Sequence, residues 1–166
     1  GVKPDIVDMA KGLGNGFPIG AVVTTREVAD SLKGRLHFNT FGGNPVACAV
    51  VDAVLEVIET EKLAQNAKVI GNYLIEKFKK LQAKDERIGE VRGMGLMLGI
   101  ELVKDAKSKT PDAALAGDVM EKMKQDGVLI GKGAQAGNVL RIKPPLIFTK
   151  ENADQLVDAL EKALRR

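Results

Sequence analysis

Pro4-Asp5-Ile6-Val7-Asp8-Met9-Ala10-Lys11-Gly12-Leu13-Gly14-Asn15-Gly16 is the stretch on which the fold turns. Ile6, Val7, Met9 and Ala10 make a short apolar run that ends in a lysine, and Gly12, Gly14 and Gly16 follow at alternate positions. That order predicts a buried strand delivering Lys11 to a tight turn, where glycine permits backbone conformations that other residues resist. Burial disfavours an ammonium and lowers a lysine pKa, so a lysine placed there suits nucleophilic work, and the glycines leave room for a cofactor. By residue type alone Lys11 also reads as a solvated turn lysine, and the local pattern does not separate the two.

Outward from that turn, Ile19 to Thr25 is short and rich in β-branched residues, a second strand, and Arg26 to Leu32 makes one or two helical turns. After the loop Phe38-Asn39-Thr40-Phe41-Gly42-Gly43-Asn44-Pro45, the segment Val46 to Ile58 is apolar almost all round. Pro45 suits a first helical turn and Asn44 its cap, so a buried helix is predicted. Leu63, Ala67, Ile70, Leu74, Phe78 and Leu81 then recur at spacings of three and four, which predicts an amphipathic helix to about Ala83. Beyond it the pattern changes to strands at Gly89 to Arg92 and Leu96 to Val103 and a helix from Pro111 to Gln125. Strands at Val128 to Ile130 and Val139 to Ile142 follow, then a last helix capped by Thr149. The boundary falls near residue 62, inside a helical stretch, and divides the chain into 1–62 and a small α+β domain, 63–166.

The composition, 45% apolar and 28% charged over 166 residues, is that of a globular chain with a real core. The formal charge of +3 comes from 25 basic and 22 acidic residues that interleave rather than cluster, and one Tyr with no Trp offers few rings for base stacking. Nucleic-acid binding is disfavoured on both counts. A lone cysteine, Cys48, excludes an intramolecular disulfide, and a lone histidine, His37, excludes His-rich metal sites and Cys/His zinc clusters. No apolar run approaches the roughly 18 residues that a membrane helix needs. The chain opens on Gly-Val-Lys-Pro rather than Met, which predicts a piece of a longer protein.

Two further groups can carry chemistry. Asn39, Thr40 and the amides of Gly42 and Gly43 precede a helix N-terminus and could hold a phosphate; they equally describe an ordinary capped loop. Arg141 lies in Val139-Leu140-Arg141-Ile142-Lys143-Pro144-Pro145, where a strand with a proline-fixed end could present a rigid two-donor fork to a carboxylate, or where an edge strand could carry a surface arginine. Neither Gly12-x-Gly14-x-Gly16 nor Gly93-x-Gly95 has dinucleotide spacing, and Gly131-Lys132-Gly133 lacks the spacing and hydroxyl of a P-loop, so nucleotide binding is disfavoured.

Taken in order, the Pro4–Gly16 segment, Phe38–Pro45, Val91-Arg92-Gly93-x-Gly95-Leu96-Met97 and Gly137-Asn138-Val139-Leu140-Arg141-Ile142-x-Pro144-Pro145 resemble the class III aminotransferases, across essentially the whole chain. Within that family the wording is most similar to the type 2 alanine–glyoxylate branch, with acetylornithine-type and 4-aminobutyrate-type transferases as alternatives. The resemblance implies an α/β chain: the end of the large domain of a fold type I transferase dependent on pyridoxal 5′-phosphate (PLP), up to about residue 62, followed by the small α+β domain. It implies that Lys11 carries the PLP covalently and, once released, moves a proton at the substrate α-carbon. Thr40, with Asn39 and Gly42 beside it, is implied to meet the phosphate of the partner subunit's PLP, and Arg141 to clamp the substrate α-carboxylate. No metal is implied. The family's upstream half supplies a glycine-rich phosphate cup, a ring over the pyridine and an aspartate on the pyridine nitrogen, and Asp5 and Asp8 do not replace that aspartate. The resemblance thus points to a parent transaminase, a homodimer or homotetramer, that moves an amino group from an alanine-like donor to glyoxylate or pyruvate by a ping-pong route. It also points to a mitochondrial, otherwise cytoplasmic, location, and to little activity in the 166-residue piece. A non-catalytic oligomerisation module is the alternative from another class; retention of Lys11, Thr40 and Arg141 weighs against it.

Overall fold

The computed structural model describes residues 1–165, which divide into two compact units, Gly1–Lys62 and the chain from Leu63 onward. In the first unit β1 (Ile6–Met9) pairs antiparallel with β2 (Ala21–Thr24), Ile6 opposite Thr24 and Met9 opposite Ala21. Between the strands Lys11–Gly14 forms one 3-10 turn. The short helix α1 (Arg26–Asp30) is capped by Thr25, whose hydroxyl accepts the Val28 amide, and a loop leads from it to α2 (Pro45–Thr60). The Asn44 side chain caps α2 by accepting the Ala47 amide at 3.0 Å, and Pro45 occupies the first turn, where its missing N–H leaves nothing unsatisfied.

Two sequence expectations fail in this unit. Neither β1 nor α2 is buried: all four residues of β1 are exposed, and of α2 only Ala47 is buried, with Val46, Leu55 and Val57 open. An all-apolar helix states how much surface must be covered, and a two-stranded ribbon with one face of loop does not supply it. The helical stretch is also not continuous across residue 62. Lys62 has φ 53°, and this left-handed step ends one helix before the next begins.

The second unit begins with α3 (Leu63–Gln82), whose three-and-four spacing emerges as one buried face: Leu63, Ala67, Ile70, Leu74, Phe78 and Leu81. An antiparallel sheet follows in the order β3–β4–β6–β5, formed by β3 (Ile88–Met94), β4 (Met97–Leu102), β5 (Gly131–Gly133) and β6 (Val139–Ile142). α4 (Ala113–Gln125) and α5 (Lys150–Arg165) join α3 in covering one face of it. Leu74, Phe78, Ile100, Met123, Leu140 and Leu160 are fully buried at the centre of this layer pair, each such side chain stabilising the unit by about 1.5–3 kcal/mol relative to exposure.

Local chemistry explains where the elements stop and start. Asp112, not Pro111, opens α4: its carboxylate accepts the Leu115 amide at 2.9 Å, while Pro111 sits one residue earlier in a bridge to Val103. Thr149 caps α5 by accepting the Asn152 amide. The strand expected at Val128 to Ile130 lies instead at Gly131–Gly133. Val128 and Ile130 pack against the core as irregular chain, and the pairing register of β6 decides which residues become strand.

Asn138 is the one polar residue buried among the described residues, at 2% exposure, and it locks β6 to β4. Its Nδ2 donates to the Leu102 carbonyl at 2.8 Å, and its own carbonyl accepts the Leu102 amide at 2.9 Å. Asn138→Ala is expected to lower the unfolding free energy by about 1–2 kcal/mol, the cost of a buried bond lost without a replacement. A urea midpoint indistinguishable from wild type would contradict this.

Candidate functional site

Lys11 sits where β1 ends, at the first position of the 3-10 turn, with φ 54° and an exposed side chain that makes no ion pair or hydrogen bond among the described residues. The turn closes through the Leu13 amide on Ala10 and the Asn15 amide on Gly12, with Asn15 left-handed at φ 44°. Of the three glycines here, a side chain would collide at Gly14, its Cβ lying 2.7 Å from Ile19 Cγ2; at Gly12 and Gly16 a Cβ would meet nothing within 4 Å. Lys11 is therefore carried on a hydrogen-bonded turn with open space at Gly12 and Gly16.

α2 packs against this turn, and the loop that enters α2 carries Asn39, Thr40 and Gly42, so one helix links the two groups. Within the loop Asn39 Oδ1 accepts the Phe41 amide at 3.1 Å and the Asn39 carbonyl accepts the Gly42 amide at 3.1 Å. Those bonds tie Asn39 and the Gly42 N–H into the turn itself, and narrow what this loop offers to a phosphate. The Thr40 hydroxyl is exposed and without a partner among the described residues. His37, exposed in the preceding segment, has none either.

Arg141 belongs to the second unit. The edge-strand reading does not hold, because β6 lies between β4 and β5, with Gly99 and Gly131 on either side of Arg141. The cross-strand row Arg92–Gly99–Arg141–Gly131 runs over the sheet face opposite the helices. Its two arginines differ in their surroundings. Arg92 is bound by Glu90 at 2.5 Å and Glu101 at 2.6 Å, and the Glu101 carboxylate, with Glu90 beside it, pushes its pKa further up. Arg141 has no carboxylate partner among the described residues.

An open cleft of about 480 Å³ adjoins Arg141, bounded by Leu129, Gly131, Lys143, Pro145 and Phe148 among others. Arg141 and Lys143 are its charged lining residues, and no Asp or Glu is among them. Two cations without a counter-charge in a half-apolar cleft favour an anionic ligand. Lys143 escaped the sequence reading because its neighbours, Ile142 and Pro144, carry no chemical pattern; only the cleft identifies it.

Comparison with known proteins gives these residues a setting. Residues 1–164 match the family model described as Aminotransferase class-III. The mitochondrial alanine–glyoxylate aminotransferase 2 homolog 2 of Arabidopsis thaliana is 58% identical over 165 residues, which cover 99% of this chain and 35% of that protein. Among solved structures, a phospholyase from Arthrobacter in complex with phosphoethanolamine superposes with a TM-score of 0.95 at 41% identity, covering 99% of this chain and 39% of that one. A PLP-bound amine transaminase from an uncultivated Pseudomonas species superposes with a TM-score of 0.89 at 34% identity, covering 98% of this chain and 38% of that one. The chain spans about a third of the length of the curated relative, and its mixed α/β fold is that of the C-terminal portion of fold type I PLP-dependent enzymes. The family match runs from Gly1 to residue 164, and on that extent the chain belongs to the class III aminotransferases.

Proposed function

We propose that the protein of which this chain forms part is a PLP-dependent transaminase that moves an amino group from an alanine-like amino acid to a 2-oxo acid such as glyoxylate, by a ping-pong route. The observation that carries this reading is Arg141, without a carboxylate partner among the described residues, beside a cleft whose charged lining residues are both cations, on a sheet face where Arg92 is already neutralised by Glu90 and Glu101. An arginine in that state can take a substrate carboxylate through two parallel hydrogen bonds, which fixes the α-carbon as well as binding it.

The residues present fit PLP. Lys11 offers a primary amine without an acidic partner, on a turn with space at Gly12 and Gly16, and Thr40 offers a free hydroxyl for a phosphate oxygen. When bound, that cofactor supplies an electron sink for the pair left on the substrate α-carbon. Lys11 would hold the cofactor, and its amine, once free, would move the proton between the substrate α-carbon and the cofactor's C4′. Thr40, with Asn39 shaping its loop, serves the phosphate of the partner subunit's cofactor in a homodimer or a homotetramer. A mitochondrial location rests on the name of the Arabidopsis relative.

Full-length protein supplied with L-alanine and glyoxylate should form pyruvate and glycine in equal amounts. The phospholyase likeness supplies the rival reading: release of phosphate from phosphoethanolamine, with no pyruvate from alanine, would overturn transamination.

A further inference from the structure

Gly131 and Gly133 lie on β5 in the register that faces Arg141: Gly131 is directly opposite Arg141 and Gly133 opposite Val139. Residues two apart on a strand share a face, so both glycines lie on the face from which the Arg141 side chain rises, and Lys132 between them points the other way, its Nζ 3.6 Å from where a Cβ on Gly117 would be. A Cβ at Gly133 would lie 2.7 Å from Arg141 Cδ and 3.3 Å from its Nε. At Gly131 the distances would be 3.6 Å to a terminal guanidinium nitrogen and 3.8 Å to Nε. The Arg141 side chain is therefore laid along a shelf of bare backbone.

The backbone does not demand glycine at either place. Neither residue has a positive φ, and a short edge strand would ordinarily gain from a β-branched side chain and is weakened by glycine. What the two glycines provide is the space that the arginine occupies.

We propose that Gly131 and Gly133 are positioning residues for substrate recognition. By withholding side chains they fix one Arg141 conformer, with the stem along β5 and the guanidinium presented to the cleft. This rests on the reading of Arg141 as the carboxylate-binding group. A methyl at Gly133 displaces the arginine stem towards another rotamer, and the energy of that shift is lost from carboxylate binding rather than from proton transfer at Lys11.

The test uses the full-length holoenzyme with three variants, Gly133→Ala, Gly131→Val and Arg141→Ala, each assayed for KM and kcat with L-alanine and for cofactor absorbance. Gly133→Ala is expected to raise KM about 10-fold, with kcat within about 3-fold and the cofactor retained. Gly131→Val, whose branched side chain suits a strand, is expected to act in the same direction by filling the space beside the guanidinium, and it decides the matter if Gly133→Ala does not fold. Arg141→Ala is expected to raise KM by about 100-fold. If Arg141→Ala raises KM while both glycine variants leave it within about 2-fold, the shelf is overturned and the carboxylate reading stands. If Arg141→Ala leaves KM unchanged, the carboxylate reading falls, and the shelf with it. A loss of cofactor absorbance in the glycine variants with an unaltered KM in the loaded fraction would also overturn positioning, since it would mark a general structural defect.

Discussion

Lys11→Ala in the full-length protein is expected to lower transamination by at least about 10³-fold, because one side chain supplies both the covalent hold on the cofactor and the base that moves the α-proton. Lys11→Arg should fare no better: a guanidinium stays protonated at any working pH and cannot accept that proton. Stability should hardly change, for Lys11 is exposed, its side chain makes no hydrogen bond or ion pair among the described residues, and it already occupies the left-handed region at φ 54° that alanine would have to occupy in its place. Borohydride treatment of the wild-type holoenzyme followed by peptide mapping should leave the pyridoxyl group on the Lys11 peptide. Its recovery on a different lysine, or a Lys11→Ala enzyme with an undiminished rate, would remove this residue from the mechanism.

Gly71→Ala is expected to destabilise the chain by about 2–3 kcal/mol, although helix propensity alone argues for a gain of about 1 kcal/mol from the same change. Gly71 is buried in the middle of α3 and faces the β3–β4 turn. A Cβ there would stand 2.0 Å from the Gly95 carbonyl oxygen and 2.4 Å from its carbon. Both are backbone atoms, so no rotamer change relieves the overlap; the helix or the hairpin has to move by an ångström or more. The hairpin cannot yield easily, because Gly93 at φ 148° and Gly95 at φ 54° shape its turn and Leu96, next in the chain, is buried at 7% exposure. Gly117→Ala in α4 is the matched control. Its Cβ would meet nothing nearer than the flexible Lys132 Nζ at 3.6 Å, so it should be neutral or mildly stabilising. Urea unfolding of the 166-residue chain reads both variants, and a Gly71→Ala midpoint at or above that of wild type would mean that α3 and the hairpin do not meet in this way.

What the residues disclose on their own is whatever depends on near neighbours. The three-and-four spacing from Leu63 to Leu81 names the buried face of α3 because a helix repeats over a few residues, and Asn44-Pro45 and Thr149 announce helix starts because a cap reaches only two or three amides along the chain. Lys11, Thr40 and Arg141 could be singled out as candidates for a related reason: each sits in a local motif, and the motifs follow one another in an order that resembles the family's. Relations between distant segments were decided only when the chain folded. Whether α2 is covered depends on what surface its neighbours supply, and Val46, Leu55 and Val57 remain exposed. Which residues become β5 depends on the register of β6, so Gly131-Lys132-Gly133 is strand while the apolar Val128 to Ile130 is not. Which partners each of the two strand arginines, Arg92 and Arg141, would meet was likewise not readable in sequence. Cross-strand pairing brought Glu101 to Arg92 and two bare glycines to Arg141, and the Coulomb interaction that sets one apart from the other acts across space that sequence separation does not measure.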